Sequence, residues 1–256
     1  MIYKRFAANL RAQNWFAILI EFAIVVAGVF VGTQVSNWNA TRLEKRETQR
    51  MLAQLRPNLQ LLSDYYSSAR TYYATTRRYS RVAFAGWRGD PKVSDSDFVI
   101  AAYQASQIIG IATNGSAWAT VLGADQLRRI DEPATRNDLS FLMSADYSIL
   151  DIAAVNTPYR QNVRRLIPID LQDAIRSRCG DRPHPAKPLT TVLPATCALK
   201  IGPREAAQAA AILRAHPELI QDLQWHMAAE AALLANMVGF EISTGNLHRR
   251  IAQIRE

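Results

Sequence analysis

The longest apolar stretch of the chain covers residues 15–35, with the sequence WFAILIEFAIVVAGVFVGTQV and one ionisable residue, Glu21. At a helical rise of about 1.5 Å per residue, about 20 such residues span the hydrocarbon core of a bilayer. A cleaved signal peptide is the alternative, but it would have a shorter apolar stretch followed by a small-residue cleavage site. Trp15 and Trp38 flank the stretch as interfacial aromatic residues do. The pattern predicts an uncleaved transmembrane helix.

One side of this helix carries Glu21 and two glycines. Gly28 and Gly32 follow Glu21 by seven and eleven positions, so at about 100° per residue the three lie within about 20° of one line. A charge inside a membrane usually faces protein or water, and glycines four positions apart allow two helices to approach closely. We therefore predict a membrane interface through Glu21, Gly28 and Gly32, with a second copy or another membrane protein. In the alternative, Glu21 extends to the nearer bilayer surface.

The next pattern, from about residue 41 to residue 88, is helical. Apolar, aromatic and small residues alternate spacings of three and four at Leu52, Leu55, Leu59, Leu62, Tyr66, Ala69, Tyr73 and Thr76. Such a seam predicts one face of a long bundle helix. Pro57 should kink or restart the helix, and Gly89-Asp90-Pro91 should end it.

Shorter helices are predicted after that point. Ser94 is a candidate N-cap for a helix to about Ile109, and Ser116 for one to Leu122. Further helices are expected at 131–156, at 170–178, from Pro203 and from Pro217. The last helix shows a predicted apolar face at Ile220, Leu223, Met227, Ala231, Leu234, Val238 and Ile242. It should pack against the first long helix of the domain.

No strand pattern or internal repeat is evident, so the predicted fold is all-α. One N-terminal transmembrane helix precedes an extramembrane helical bundle. The predicted organisation is a short basic tail over residues 1–14, the transmembrane helix over 15–35 and a helical domain over 36–256. A proline-rich loop over 180–203 interrupts that domain.

The residues around the end of the apolar stretch resemble a known signature. Glu21, Gly28, Gln34, Asn37, Trp38 and Asn39 match, at the same spacing, a family of uncharacterised bacterial single-pass membrane proteins. The family has a Gly-Glu pair and an Asn-Asn-Trp-Asn motif, whereas this chain has Ile20 and Ser36 at two of those positions. A weaker resemblance to the same family follows at Trp118, Leu122-Gly123, Leu127 and Ile130-Asp131. The resemblance implies an anchor in a bacterial inner membrane and a helical exterior, and it implies no activity.

Charge excludes one class of partner. The chain carries a net charge of +8, and residues 35–256 hold 27 basic and 21 acidic residues, a net charge of +6. The arginines occur as scattered pairs, whereas nucleic-acid-binding proteins concentrate positive charge on one surface with aromatic residues. We therefore expect solvated helix faces, no nucleic acid, and a lipid bilayer as partner, whose anionic headgroups a basic surface favours.

Two cysteines, Cys179 and Cys197, flank the prolines of the 180–203 loop. A disulfide between them would close a loop with little structure of its own and would suit an oxidising compartment. Two free thiols are the alternative. The spacing of cysteines and histidines does not fit zinc.

Orientation depends on charges on both sides of the anchor. Lys4, Arg5 and Arg11 precede it, whereas Arg42, Lys45, Arg46 and Arg50 follow it. The count slightly favours a cytoplasmic domain. Transfer of a basic tail across the membrane is unfavourable, however, and the cysteine pair indicates an oxidising space. We predict a cytoplasmic N-terminus and a periplasmic domain.

No motif for catalysis, cofactor binding or metal binding is present. His226 and Glu230 share a helix face, but a metal ion would need further ligands. Trp87, Trp118 and Trp225 are expected in the core or in an interface. The predicted function is a membrane-anchored interaction or scaffolding protein that forms a homo-oligomer or binds another membrane protein. The alternatives are a small-molecule sensor of unknown ligand acting through a partner, and an enzyme.

Overall fold

The computed structural model describes residues 15–111, 122–187 and 190–253 of the chain. The chain divides into two units, one up to Leu52 and one from Ala53 onward. The 1–14 tail, the Asn114-Gly115-Ser116 turn and most of the helix expected from Ser116 to Leu122 lie outside the described residues, as does Trp118.

The described part of the chain is mostly helical, as predicted. The α-helices are α1 (Trp15–Gln54), α2 (Arg56–Trp87), α3 (Asp95–Gln104), α4 (Ala124–Arg128), α5 (Pro133–Ser144), α6 (Pro158–Leu166), α7 (Ile169–Cys179), α8 (Pro203–Arg214) and α9 (Glu218–Ala252). Two 3₁₀ helices follow α5, at Tyr147–Leu150 and Ile152–Val155. Two short strands lie between α7 and α8, β1 (Arg182–Pro183) and β2 (Thr191–Val192).

The first unit contains most of α1. By length and composition, α1 is long and apolar enough to cross a membrane. Its most apolar 18-residue window, near the N-terminus, has a mean hydropathy of 2.4 and contains no buried residue. Large side chains there, such as Phe22 and Val29, are more than 60% exposed. Exposed apolar side chains are costly in water, and the described residues do not cover those of this window.

Helix α2 begins and ends where the sequence predicts. Pro57 lies in its first turn, where proline is tolerated. At the other end Gly89 has a φ of +72°, a conformation that glycine adopts without a steric penalty. The backbone N–H groups of Gly89 and Asp90 donate to Gly86 and Ala85, which closes the helix end. Of the predicted seam, every residue is buried except Leu62, which is half-buried.

Helix α9 packs against α2, as predicted, but the predicted face was wrong. The buried residues of α9 alternate spacings of four and three: Leu219, Leu223, His226, Glu230, Leu233, Met237, Phe240, Thr244, Leu247 and Ile251. Of the predicted face only Leu223 is buried. Three of the true core positions hold His226, Glu230 and Thr244. A pattern that counts apolar residues therefore selects a neighbouring stripe.

Two helices end earlier than predicted, and a tertiary hydrogen bond follows one of them and local side-chain hydrogen bonds follow the other. Helix α3 has the predicted N-cap, Ser94, but ends at Gln104, five residues before Ile109. Beyond it the Ile109 carbonyl accepts from Tyr73 Oη at 2.7 Å. Helix α5 ends at Ser144 rather than near residue 156. Asp146 and Asp151 then accept hydrogen bonds from Ser148 N and Ala153 N, which start the two 3₁₀ helices.

Two elements were missed. Helix α6 starts at Pro158 directly after Thr157, whereas the sequence indicated only a helix end there. Strands β1 and β2 form an antiparallel pair with Arg182 opposite Val192 and Pro183 opposite Thr191. Each strand has only two residues, too few to show an alternating pattern.

Candidate functional site

The predicted membrane interface lies on one side of α1. At the positions of Gly28 and Gly32 an added Cβ atom would meet no other atom within 4 Å. Glu21 is half-buried, and its Oε2 is shielded from solvent without accepting a hydrogen bond from the described residues. A carboxylate oxygen in that position needs a donor. In the described chain, this side of α1 is therefore uncovered at Gly28 and Gly32 and contains an unsatisfied acceptor at Glu21.

The motif that follows the apolar stretch also lies within α1. Gln34, Asn37, Trp38 and Asn39 are all exposed, and Trp38 is 65% exposed. The guanidinium carbon of Arg42 lies 5.6 Å from the centre of the Trp38 ring, a cation–π contact. A tryptophan next to a basic residue is typical of the boundary between hydrocarbon and headgroups.

The two cysteines lie within bonding distance, as the loop composition predicted. Their Cα atoms are 5.3 Å apart, and the pair links the last residue of α7 to the segment after β2. Gln104 Nε2 donates to the Cys179 carbonyl at 2.6 Å, which joins the end of α7 to the end of α3. The pair therefore holds the β1–β2 hairpin against the helical domain.

A buried polar cluster lies where α2, α6 and α9 meet. His226 and Glu230 project from α9 and are 0% and 1% exposed, with His226 Nε2 3.3 Å from Glu230 Oε1. Thr76 of α2 donates to the Glu230 carboxylate, 3.0 Å from Oε1. Thr157, just before α6, shares a 2.7 Å hydrogen bond with His226 Nδ1. The sequence indicated the His226–Glu230 pair, but it carried no local signal for Thr157.

Burial controls the electrostatics of this cluster. Removal of water raises the pKa of the Glu230 carboxyl above its usual range, and His226 and Thr76 act in the opposite direction. Two neighbouring tyrosines, Tyr73 and Tyr159, have raised pKa values, also because of burial. The cluster has the composition of a hydrogen-bonded core network. The described residues contain no group of three or more His, Cys, Asp or Glu side chains arranged to hold a metal ion.

Two half-buried arginines lie one turn apart on α6. Arg160 Nη1 donates to the Ser106 carbonyl at 2.5 Å, and Arg164 Nε donates to Ser106 Oγ at 3.0 Å. Arg164 also lies over the Tyr103 ring, with its guanidinium carbon 4.7 Å from the ring centre. Burial lowers the pKa of both arginines. Since Ser106 follows the C-terminal end of α3, where positive charge is favourable, the pair stabilises that helix end.

The described residues form three clefts that are lined by residues of α2, of the hairpin and of the loops around the 3₁₀ helices. Their volumes are about 210, 340 and 460 Å³. One lies between α2 and the hairpin and is lined by hydroxyl groups of Ser67, Ser68 and Thr71. Pockets for drug-sized ligands usually have about 300–1,000 Å³. One cleft is therefore below this range and two lie in its lower part, and none of the three contains the buried His226–Glu230 cluster.

Trp87 and Trp225 have different environments. Trp87 Nε1 donates to the Leu213 carbonyl at 3.0 Å, and its ring packs edge-on against Phe98. Trp225 on α9 is 64% exposed. Of the two, Trp87 thus packs within the domain and Trp225 lies on its surface.

In comparisons with known proteins, the chain matches no family model, no curated protein and no solved structure. No relative therefore indicates catalytic activity. The resemblance of the anchor region to a family of bacterial single-pass membrane proteins stays a prediction.

Proposed function

We propose that this protein is a membrane-anchored helical interaction or scaffolding protein that associates with itself through α1. The observation that carries the proposal is the side of α1 containing Glu21, Gly28 and Gly32. It combines a shielded, unsatisfied carboxylate oxygen with two positions at which a neighbouring backbone can approach closely.

The physical argument concerns the cost of Glu21 in a membrane. A carboxyl group surrounded by hydrocarbon is unfavourable, and such residues usually face protein or water. A second α1 helix that packs on the two glycines would bring its own polar groups and backbone close to Glu21. Self-association would remove Glu21 from contact with hydrocarbon without requiring another protein.

The domain supports an interaction role better than a sensor role. Its polar side chains at the α2–α6–α9 junction are buried, and Thr76 and Thr157 bond to Glu230 and His226 there, so they are not exposed to a ligand. The described residues contain no group of three or more side chains arranged to hold a metal ion, and the cleft between α2 and the hairpin, at about 210 Å³, is smaller than a usual ligand pocket. An interaction protein needs a stable surface and an anchor, and the helical domain and α1 supply both.

The proposed orientation has the N-terminus in the cytoplasm and the domain in the periplasm of a bacterial inner membrane. The sulfur atoms of Cys179 and Cys197 at bonding distance support an oxidising compartment. C-terminal reporters test this orientation. A reporter active only outside the cytoplasm should work, and a reporter active only inside should fail; the reverse pattern overturns the orientation.

Energy transfer between two labelled populations of the full chain in lipid vesicles tests self-association. The Gly28→Ile/Gly32→Ile double variant should lose most of the energy transfer, because two branched side chains prevent close helix approach. The matched control is Ala23→Ile, which enlarges a small residue on the opposite side of α1 and should leave the signal unchanged. A monomeric wild-type chain, or equal loss in the control, overturns the proposal.

A further inference from the structure

Three guanidinium groups lie close together around Tyr103. The Arg164 guanidinium carbon lies 4.7 Å from the centre of the Tyr103 ring, and Arg176 Nη1 donates to Tyr103 Oη at 3.0 Å. Arg160 lies one turn before Arg164 on α6, and both arginines bind Ser106. Burial, followed by the positive charges of Arg160 and Arg176, lowers the pKa of Arg164. Since like charges at short range repel each other, this cluster needs negative charge nearby.

The chain supplies little negative charge in direct contact with the cluster. Arg176 pairs with Asp173, three residues earlier on α7. Neither Arg160 nor Arg164 forms an ion pair with any residue that the structure describes. The remainder of the chain, residues 1–14, 112–121, 188–189 and 254–256, contains one acidic residue, Glu256. Half-buried charges without an ion-pair partner are unusual in a folded protein.

Two groups offset part of this positive charge. Asp181 lies close enough to act on both α6 arginines, but its Oδ1 accepts from Tyr72 Oη at 2.8 Å. Burial raises the pKa of Asp181, and the Tyr72 hydrogen bond and both arginines oppose this rise. The C-terminal end of α3 corresponds to about half a negative charge. Arg160 and Arg164 together therefore keep a net positive charge.

The two α6 arginines also have N–H groups to spare. Arg160 donates to the Ser106 carbonyl, and Arg164 donates to Ser106 Oγ and, at 2.8 Å, to Gln107 Oε1. No described residue accepts a hydrogen bond from the other N–H groups of either guanidinium. Both side chains are half-buried, so solvent reaches them in part. A phosphate group has several acceptor oxygens and matches the planar fork of a guanidinium.

The surrounding segment would attract such a group. Residues 158–187, all of which the structure describes, contain seven basic and three acidic residues, a net charge of +4. The whole of residues 35–256 has a net charge of +6, so this segment holds most of the excess. Concentrated positive charge raises the local concentration of anions.

We propose that Arg160 and Arg164, with Arg176 at the edge, form a binding site for a phosphate group. The group belongs either to a small phosphate or phosphate ester in solution or to a lipid headgroup. The site is independent of the proposed self-association through α1.

Equilibrium dialysis of the full chain in phosphatidylcholine nanodiscs against radiolabelled inorganic phosphate, at constant ionic strength, tests binding. One phosphate per chain should bind saturably. The Arg160→Gln/Arg164→Gln variant should lose about a hundredfold in affinity, because two charged donors are removed. The matched control is Arg165→Gln, which removes the same charge from an exposed position on α6 and should change the affinity less than about twofold.

A second variant separates binding from folding, because the α6 arginines also bind the segment after α3. Arg160→Lys/Arg164→Lys keeps both charges but cannot bind two oxygens with one side chain. It should melt near the wild-type temperature and bind phosphate about tenfold more weakly. Wild-type affinity in this variant would show that the guanidinium geometry does not form the site.

Nanodiscs that contain phosphatidylglycerol, without added phosphate, distinguish the two sources. A rise in melting temperature for the wild type but not for Arg160→Gln/Arg164→Gln identifies a lipid headgroup as the ligand. Saturable binding of free phosphate without this rise identifies a soluble ligand, and both results support the site. Absence of both effects overturns the proposal. It is also overturned if the glutamine variant binds like the wild type, or if Arg165→Gln loses as much affinity.

Discussion

His226 Nε2 lies 3.3 Å from Glu230 Oε1 in the interior of the domain, where both side chains are at most 1% exposed. The pair occupies two successive core positions of α9, and Thr76 and Thr157 bind it from two other segments. Buried polar groups are costly unless they are hydrogen-bonded. The packing of α2 and of the start of α6 against α9 therefore depends on the hydrogen bonds of Thr76 and Thr157 to this pair.

Removal of one member of this pair should destabilise the domain strongly. The Glu230→Ala variant leaves His226 without its neighbour and opens a cavity, and we expect a loss of about 3–5 kcal/mol in the free energy of unfolding. Urea unfolding of the full chain in detergent, followed by tryptophan fluorescence, measures this loss. Glu241→Ala removes the half-exposed pair with Arg70 and should cost at most about 1 kcal/mol.

Replacement of both members by apolar residues provides a further check. The His226→Leu/Glu230→Leu variant should recover most of the stability lost in Glu230→Ala, because an apolar pair has no unsatisfied polar group. If the double variant is as unstable as Glu230→Ala, the loss of stability comes mainly from the missing hydrogen bonds to Thr76 and Thr157.

The raised pKa of the Glu230 carboxyl predicts that the stability of the domain depends on pH. Burial raises the pKa of Glu230, so the folded state binds this proton more tightly than the unfolded chain, whose glutamates have a pKa of about 4.3. The contribution to stability is complete below about pH 4 and decreases as the pH rises through the raised pKa. Partial burial also raises the pKa of Asp181, so Asp181 should contribute to the pH dependence of stability with the same sign. As the pH rises across this range, the free energy of unfolding should decrease less for the Glu230→Gln variant than for the wild type. Identical slopes would be inconsistent with a raised pKa for Glu230.

The disulfide should stabilise the domain by restricting the conformations of the unfolded chain. Cys179 and Cys197 are 18 residues apart in sequence, and closing a loop of about that size stabilises a fold by about 3 kcal/mol. Reduction with a thiol reagent should lower the melting temperature of the wild-type chain. The Cys179→Ser/Cys197→Ser variant should melt at the reduced temperature with or without reagent. A wild-type melting temperature that is insensitive to reduction argues against a bond in the mature protein.

A pair of glycine substitutions tests helix packing. A Cβ at Gly86 would lie 2.1 Å from Phe98 Cδ2, so Gly86→Ala should separate α2 from α3 and cost about 1–3 kcal/mol. Gly245 of α9 has only an ordinary contact, with the end of the Arg249 side chain at 3.7 Å. There the same change should stabilise the helix by about 0.5–1 kcal/mol. Thermal unfolding of both variants measures the difference, and equal effects would contradict the close packing of Gly86 on Phe98.

The sequence predicted the elements that are defined by local signals. The seam of α2 is visible because its core positions are mostly apolar or aromatic, and its end is visible because Gly89 permits a positive φ. Ser94 caps α3 through its own hydroxyl, which accepts from Asp97 N at 3.1 Å. These features depend on residues a few positions apart.

Features that depend on tertiary contacts were not predictable in the same way. The core face of α9 was misplaced because His226, Glu230 and Thr244 are polar, and they become core residues only through partners such as Thr76 and Thr157. The early end of α3 depends on Tyr73, which is distant in sequence. For the candidate site, helical spacing alone predicts that Glu21, Gly28 and Gly32 share one side of α1. It does not identify the molecule that packs on that side, because this depends on a second chain.

Alkaline carbonate extraction of membranes from cells that express the full chain tests the anchor most directly. The wild-type chain should remain in the membrane pellet, because the first part of α1 is long and apolar enough to cross the bilayer. A variant with two arginines in that stretch, Val25→Arg/Val29→Arg, should move to the soluble fraction. Wild-type protein in the soluble fraction would contradict the membrane anchor, and with it the proposed self-association through α1.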